Sequence, residues 1–330
     1  MGFGDFDWIC SKTALPLCSL VGPPSPIQGS AGILPSCYAR NIDVANTTIF
    51  QGAADFMHIM ALGMTAVMIL HVRSKFTAVG RKEIMMFFYI YMILTMCSLV
   101  LDAGVVPPGS GVFPYFVAAQ NGLASALCTC LLVNGFLGFS IYEDGTTLSV
   151  WLLRLSSLGM FAVSFLVSLF TFKGWVGLSP TSTIGMFVVV YIFNAICIAV
   201  YVVMQILLVN TLDDRWTLGH IAFGVLFFII GQVILYAFSE TICVNVQHYL
   251  DGIFFATLFN LLAVMMVYKC WDFMTRADFE FSVGIKPNNL EVKELLPEEE
   301  RRGTVYHDTN SEYAPSVHYR SSTYGGGHNY

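Results

Sequence analysis

The chain has 330 residues, of which 56% are apolar and only 12% charged, with a net charge of −6. Soluble domains run at roughly 45–50% apolar and about a quarter charged, so this balance excludes a soluble globule. The excess apolar content falls into seven stretches between residues 49 and 270, each long enough for the roughly 30 Å hydrocarbon core that about 20 apolar residues cross as a helix.

Residues 1–48 form a loop-rich head, interrupted by proline and carrying Cys10, Cys18 and Cys37. Asp5 and Asp7 stand where a cleavable signal would be basic, so the first span is expected to serve as its own signal. Asn46 opens a glycosylation sequon, but it adjoins the first span and poor modification is expected.

The first span, 49–72, carries Asp55 and His58 on one face. The second, 83–101, ends at Asp102, and a stiff Pro107–Pro114 connection leads into the third, 114–140, with Pro114 suited to its first turn. Ala118, Gly122 and Ala126 recur there every four residues, and the fourth span, 148–172, carries Ser157, Ser164 and Ser168. Such small residues let helices approach closely, either within the bundle or against another protein. The fifth and sixth spans cover 183–209 and 218–238. A connection containing Cys243 then reaches the seventh, 249–270, opened by His248 and Asp251. The twelve prolines avoid the interiors of all seven spans. The three segments are thus a head (1–48), a seven-helix membrane bundle (49–275) and a polar tail (276–330) expected to be disordered.

Lys and Arg orient this all-α polytopic membrane protein. Arg73, Lys75, Arg81 and Lys82 fill the first connection, and seven more basic residues follow from Lys269 onward, whereas 102–113 and 239–248 have none. The positive-inside rule places the N-terminus in the lumen and the C-terminus in the cytosol. Cys10, Cys18, Cys37 and Cys243 then share the oxidising side, where two disulfides are expected in any of three connectivities. A bridge from the head to Cys243 would clamp the head over the bundle.

Intramembrane ionisable groups are the place to seek chemistry. If Asp55, His58, Asp102, His248 and Asp251 converged near Ser98, a metal-dependent hydrolase on the lumenal face would result. The His-x-x-x-His pair of seven-helix ceramidase-type enzymes is absent, however, and histidines at helix ends more often pair with neighbours. Receptor signatures are absent from the ends of the third and seventh spans, and no internal repeat or mid-span proline marks a transporter.

Several blocks are specific in combination. They are CSKTALPLC at Cys10–Cys18, CYARNIDVAN at Cys37–Asn46, PPGSGVFPY at Pro107–Tyr115, Gly135–Phe139 with Glu143–Thr147, Gly185–Tyr191, Gly231–Ser239, His248–Gly252 and Met265–Asp272. In order and spacing they resemble the fungal chitin synthase export chaperones, over nearly the whole chain and most weakly after residue 285. The resemblance implies a non-enzymatic multi-pass protein of the endoplasmic reticulum membrane, without cofactor or metal, that helps a chitin synthase fold and leave that compartment and so supports cell-wall chitin synthesis. Its partners would be the synthase and the bilayer, with self-association possible and no nucleic acid. Ala118, Gly122 and Ala126 are the client-packing candidates. Gln120, Asn121, Asn134, Asn194, Gln205, Gln232 and Asn260 are candidate hydrogen-bonding groups for such contacts.

Overall fold

The computed structural model describes residues 4–23, 32–44, 47–76, 78–137, 146–212 and 215–284. Among them seven helices are long and apolar enough to cross a membrane: Gly52–Ser74, Arg81–Asp102, Phe113–Phe136, Thr147–Lys173, Ile184–Thr211, Trp216–Asn245 and Gly252–Thr275. These are the seven expected spans, with two boundary corrections. The sixth continues seven residues past position 238, because its backbone remains helical through the polar Ser239–Asn245 segment. The seventh begins at Gly252, since Gln247 and His248 take left-handed φ values of 55° and 66° and turn the chain before the helix can start. Its helix then runs on to Gly284, so the first residues of the expected tail are helical. The chain separates into two units, Met1–Asp278 and Phe279–Tyr330. Most of the tail, from residue 285, lies outside the described residues, as does Asn46.

The head is more structured than its proline content implies. A short helix (Asp7–Lys12) is followed by a 3-10 turn (Pro16–Ser19), and strand β1 (Ile42–Val44) pairs antiparallel with β2 (Thr47–Ile49), with Ile42 opposite Ile49. Phe6, Leu17 and Val21 form a buried cluster with Leu101, Phe113, Val117, Leu169 and Met186. The head is therefore a cap seated on the ends of the second to fifth spans. At the opposite end, Val72, Phe87, Phe88, Leu153, Tyr268 and Trp271 join the first, second, fourth and seventh spans.

The third span is central, packing on the second, fourth and fifth. Its contact with the fourth is close and polar: Ser125 bonds Ser164 at 3.0 Å, and Asn121 Nδ2 donates to Ser168 at 3.2 Å. A Cβ on Gly122 would lie 3.0 Å from the Phe161 carbonyl oxygen, so only glycine permits this approach.

The fifth and sixth spans each contain a π turn, Val188–Ile192 and Ile234–Phe238. No proline causes them. Such a turn displaces carbonyls from the regular ladder and needs donors from elsewhere. Asn194 Nδ2 supplies one to the Val190 carbonyl at 2.7 Å, and the fully buried Thr13 hydroxyl of the head supplies one to the Leu235 carbonyl at 2.9 Å.

Candidate functional site

The four head-side cysteines are paired as Cys10–Cys18 and Cys37–Cys243, with Cα separations of 5.4 and 6.1 Å. The first closes a local turn, and the second ties the head to the end of the sixth span. Backbone contacts reinforce this clamp: Gly22 N–H donates to the Pro180 carbonyl at 2.9 Å and Arg40 N–H to the His248 carbonyl at 2.7 Å. The Thr183 hydroxyl adds a bond to the Gly4 carbonyl at 2.7 Å. Because these partners lie on the connection before the fifth span, on the sixth span and on the connection after it, the head braces segments far apart in sequence.

The five ionisable groups considered for a hydrolase do not all converge. His58 Nε2 meets Asp102 Oδ2 at 2.9 Å in a buried pair, and Asp55 is close enough to both for electrostatic coupling. Asp251, just before the seventh span, joins the same end of the bundle, where its Oδ1 accepts from the Phe254 N–H at 3.1 Å and caps that helix. Burial pushes the Asp251 carboxyl up to about 6, with the Phe254 bond opposing and the Asp102 charge adding to the rise. Ser98 instead accepts from Gln120 Nε2 at 2.9 Å. His248 is drawn away to the second disulfide, with Nδ1 at 3.3 Å from Cys37 Sγ. Among the described residues, the one set of three metal-ligating types whose donor atoms lie within 4.8 Å of one another is Cys37, Cys243 and His248, not the carboxylate cluster. The hydrolase alternative has no support in this arrangement.

The residues expected to meet a client are largely used internally. Ala118 and Ala126 are 0% and 4% exposed, and Gly122 abuts Phe161 of the fourth span, so within this chain the third-span stripe lies inside the bundle. The polar inventory follows the same pattern. Gln120, Asn121 and Asn194 have the internal partners given above, Asn134 Nδ2 reaches Cys130 Sγ at 3.7 Å, and Gln232 Nε2 reaches Asn260 Oδ1 at 3.4 Å. Gln205 is 5% exposed. Asn121, Asn194 and Gln205 are buried, whereas Gln120, Asn134, Gln232 and Asn260 are partly exposed.

The surface that sequence reasoning missed is the pair of spans between them. Only 17% of the most apolar stretch of the fifth and of the sixth span is buried within the protein, against 33–44% for the other five. Ile196, Val203, Phe223, Leu226 and Ile229 point outward. The signal was present as unbroken hydrophobicity all round these helices, which marks a helix with few protein neighbours in a membrane. Across the bundle, at the end away from the head, Lys75 pairs with Asp272 and Trp271 Nε1 donates to the Val79 carbonyl at 3.1 Å. The first connection is thereby fastened to the seventh span.

No solved structure matches the chain. Among relatives, the chitin synthase export chaperones of Aspergillus oryzae and Aspergillus fumigatus are each 75% identical over 332 aligned residues, covering 100% of both chains. That of Fusarium oxysporum is 65% identical, over 96% of this chain and 95% of its own. A family model described as chitin synthase export chaperone matches residues 2–285, which include the head, all seven spans and the clamp between them. The chain therefore belongs to the chitin synthase export chaperone family.

Proposed function

We propose that this protein is a non-enzymatic, client-specific membrane chaperone that holds a chitin synthase in the endoplasmic reticulum membrane until the synthase can be exported. The observation that carries this reading is identity of 75% to export chaperones, over 100% of this chain and 100% of each relative. In this reading the head is lumenal, where disulfides form, and the basic first connection and the tail are cytosolic.

The client would dock its transmembrane helices on the fifth and sixth spans. Two facts favour that face: it has the least burial in the bundle, and the small-residue and polar surfaces of the other spans are occupied internally. Little hydrophobic force acts between helices in lipid, so recognition rests on shape, and the neighbouring π turns give these two spans an uneven outline.

Photo-crosslinking in microsomes tests both parts. A crosslinking residue at Val203 or Ile229 is expected to capture the synthase, and one at the equally outward Leu158 of the fourth span is not. Equal capture at all three positions would remove the assigned face. Normal synthase delivery to the cell surface in cells lacking the protein would remove the chaperone function itself.

A further inference from the structure

The second disulfide differs from the first in having an imidazole against it. His248 Nδ1 lies 3.3 Å from Cys37 Sγ and 3.8 Å from Cys243 Sγ. In a tetrahedral zinc site with Zn–S near 2.3 Å and Zn–N near 2.0–2.1 Å, the sulfur-to-nitrogen edge is about 3.6 Å, and the two observed distances bracket it. The left-handed backbone at Gln247 and His248 aims the ring into this position. Cys37 and Cys243 are buried, whereas His248 is exposed, so one side of the cluster is open to solvent.

We propose that Cys37, Cys243 and His248 form a redox-gated zinc site. In the oxidised protein the two sulfurs are bonded to each other, and His248 Nδ1–H donates to the Tyr38 carbonyl at 3.0 Å. A dithiol reductant delivers two electrons: its own disulfide forms as the Cys37–Cys243 bond breaks, and two thiols result. Zinc then displaces the two thiol protons, and His248 shifts its remaining proton to Nε2, giving up the Tyr38 bond so that Nδ1 can ligate. Two thiolates, one imidazole and one water complete a tetrahedron. The covalent tie between head and sixth span is replaced by a metal tie in which the two sulfurs separate to about 3.8 Å, the sulfur-to-sulfur edge of the same tetrahedron, so the cap stays seated through a reducing episode.

The test uses the full-length protein in detergent, reduced anaerobically with a phosphine, exposed to zinc alone, desalted and measured for bound metal, with cobalt as a spectroscopic substitute. The expected result is one zinc per chain in the reduced wild type, with a thiolate-to-cobalt charge-transfer band, and none in the oxidised protein. Cys37→Ser/Cys243→Ser should lose both signals. His248→Ala, which keeps the disulfide and can be purified oxidised before reduction, should bind more weakly by at least the roughly 10–100-fold that even outer-shell substitutions cost. If reduction precipitates the protein, rescue by zinc supports the site and failure of rescue overturns it. Absence of zinc from a soluble reduced wild type, or undiminished binding in either variant, also overturns it.

Discussion

The first four spans and the pair formed by the fifth and sixth are built on different principles, although hydropathy alone makes them look alike. The first four bury a third or more of their most apolar stretches and are joined by close, polar contacts such as Ser125 with Ser164 and Gly122 against Phe161. The fifth and sixth bury 17% and depend on the head: Thr13 serves the sixth-span π turn, Gly4 and Gly22 bond the connection before the fifth and its first turn, and Cys37 holds the end of the sixth. In a bilayer, helices that make few contacts with their own bundle are free to meet another protein, provided something outside the membrane holds them in place.

Breaking that tether should have the largest effect. Cys37→Ser/Cys243→Ser removes a crosslink closing 206 residues, where loop entropy predicts ~5 kcal/mol and measured losses run about 2–5 kcal/mol. Cys10→Ser/Cys18→Ser closes only eight residues and is expected to cost about half as much on the same basis. Thermal unfolding in detergent without reductant compares the two, and equal losses would contradict the special dependence of the sixth span on the head.

Next in size is Gly122→Leu, which should cost about 1–3 kcal/mol through overpacking against the fourth span. Its counterpart Gly159→Leu, where an added Cβ meets nothing within 4 Å, should be nearly silent in the same melting assay. A loss of synthase export by Gly122→Leu with unchanged stability would return the third-span stripe to the client surface.

Thr13→Val keeps the volume but leaves the Leu235 carbonyl without its head donor, an expected loss of about 1–3 kcal/mol for an unsatisfied buried group. Hydrogen exchange should rise selectively around Ile234–Phe238, and an unchanged π turn would show that the head does not brace it.

The smallest effect concerns Asp251. Its folded-state value of about 6 lies above the ordinary 3.8, so its contribution to stability is complete below 3.8 and is lost as pH rises through 6. Asn caps a helix as well as Asp does. Asp251→Asn is therefore expected to raise Tm at pH 7.5, with the gain shrinking as pH falls below 6 and disappearing only below 3.8. A gain that did not depend on pH would show that burial of the charge is not the cause.

Much of this was legible beforehand in particular residues. The i, i+3 spacing of Asp55 and His58 placed them on one face, and the position of Asp102 at the end of the next helix made their pairing plausible. His248 could not be assigned in the same way, because its direction depends on two consecutive left-handed residues that no glycine or asparagine announces. Ala118, Gly122 and Ala126 declared a close helix contact by their size, but not that Gly122 would meet Phe161 of the fourth span. The π turns had no proline to signal them, and their donors come from Asn194 nearby and from Thr13, 222 residues away in sequence from Leu235.

The seven spans were determined by the sequence itself, because a hydrocarbon slab imposes its demand on each segment separately: enough apolar length, with every backbone bond closed within the helix. Which cysteines join, which helices are left with few neighbours and where His248 points were decided only by the tertiary structure. Those features depend on what stands opposite a residue in space, and the periodicity of a helix defines a face without naming what covers it.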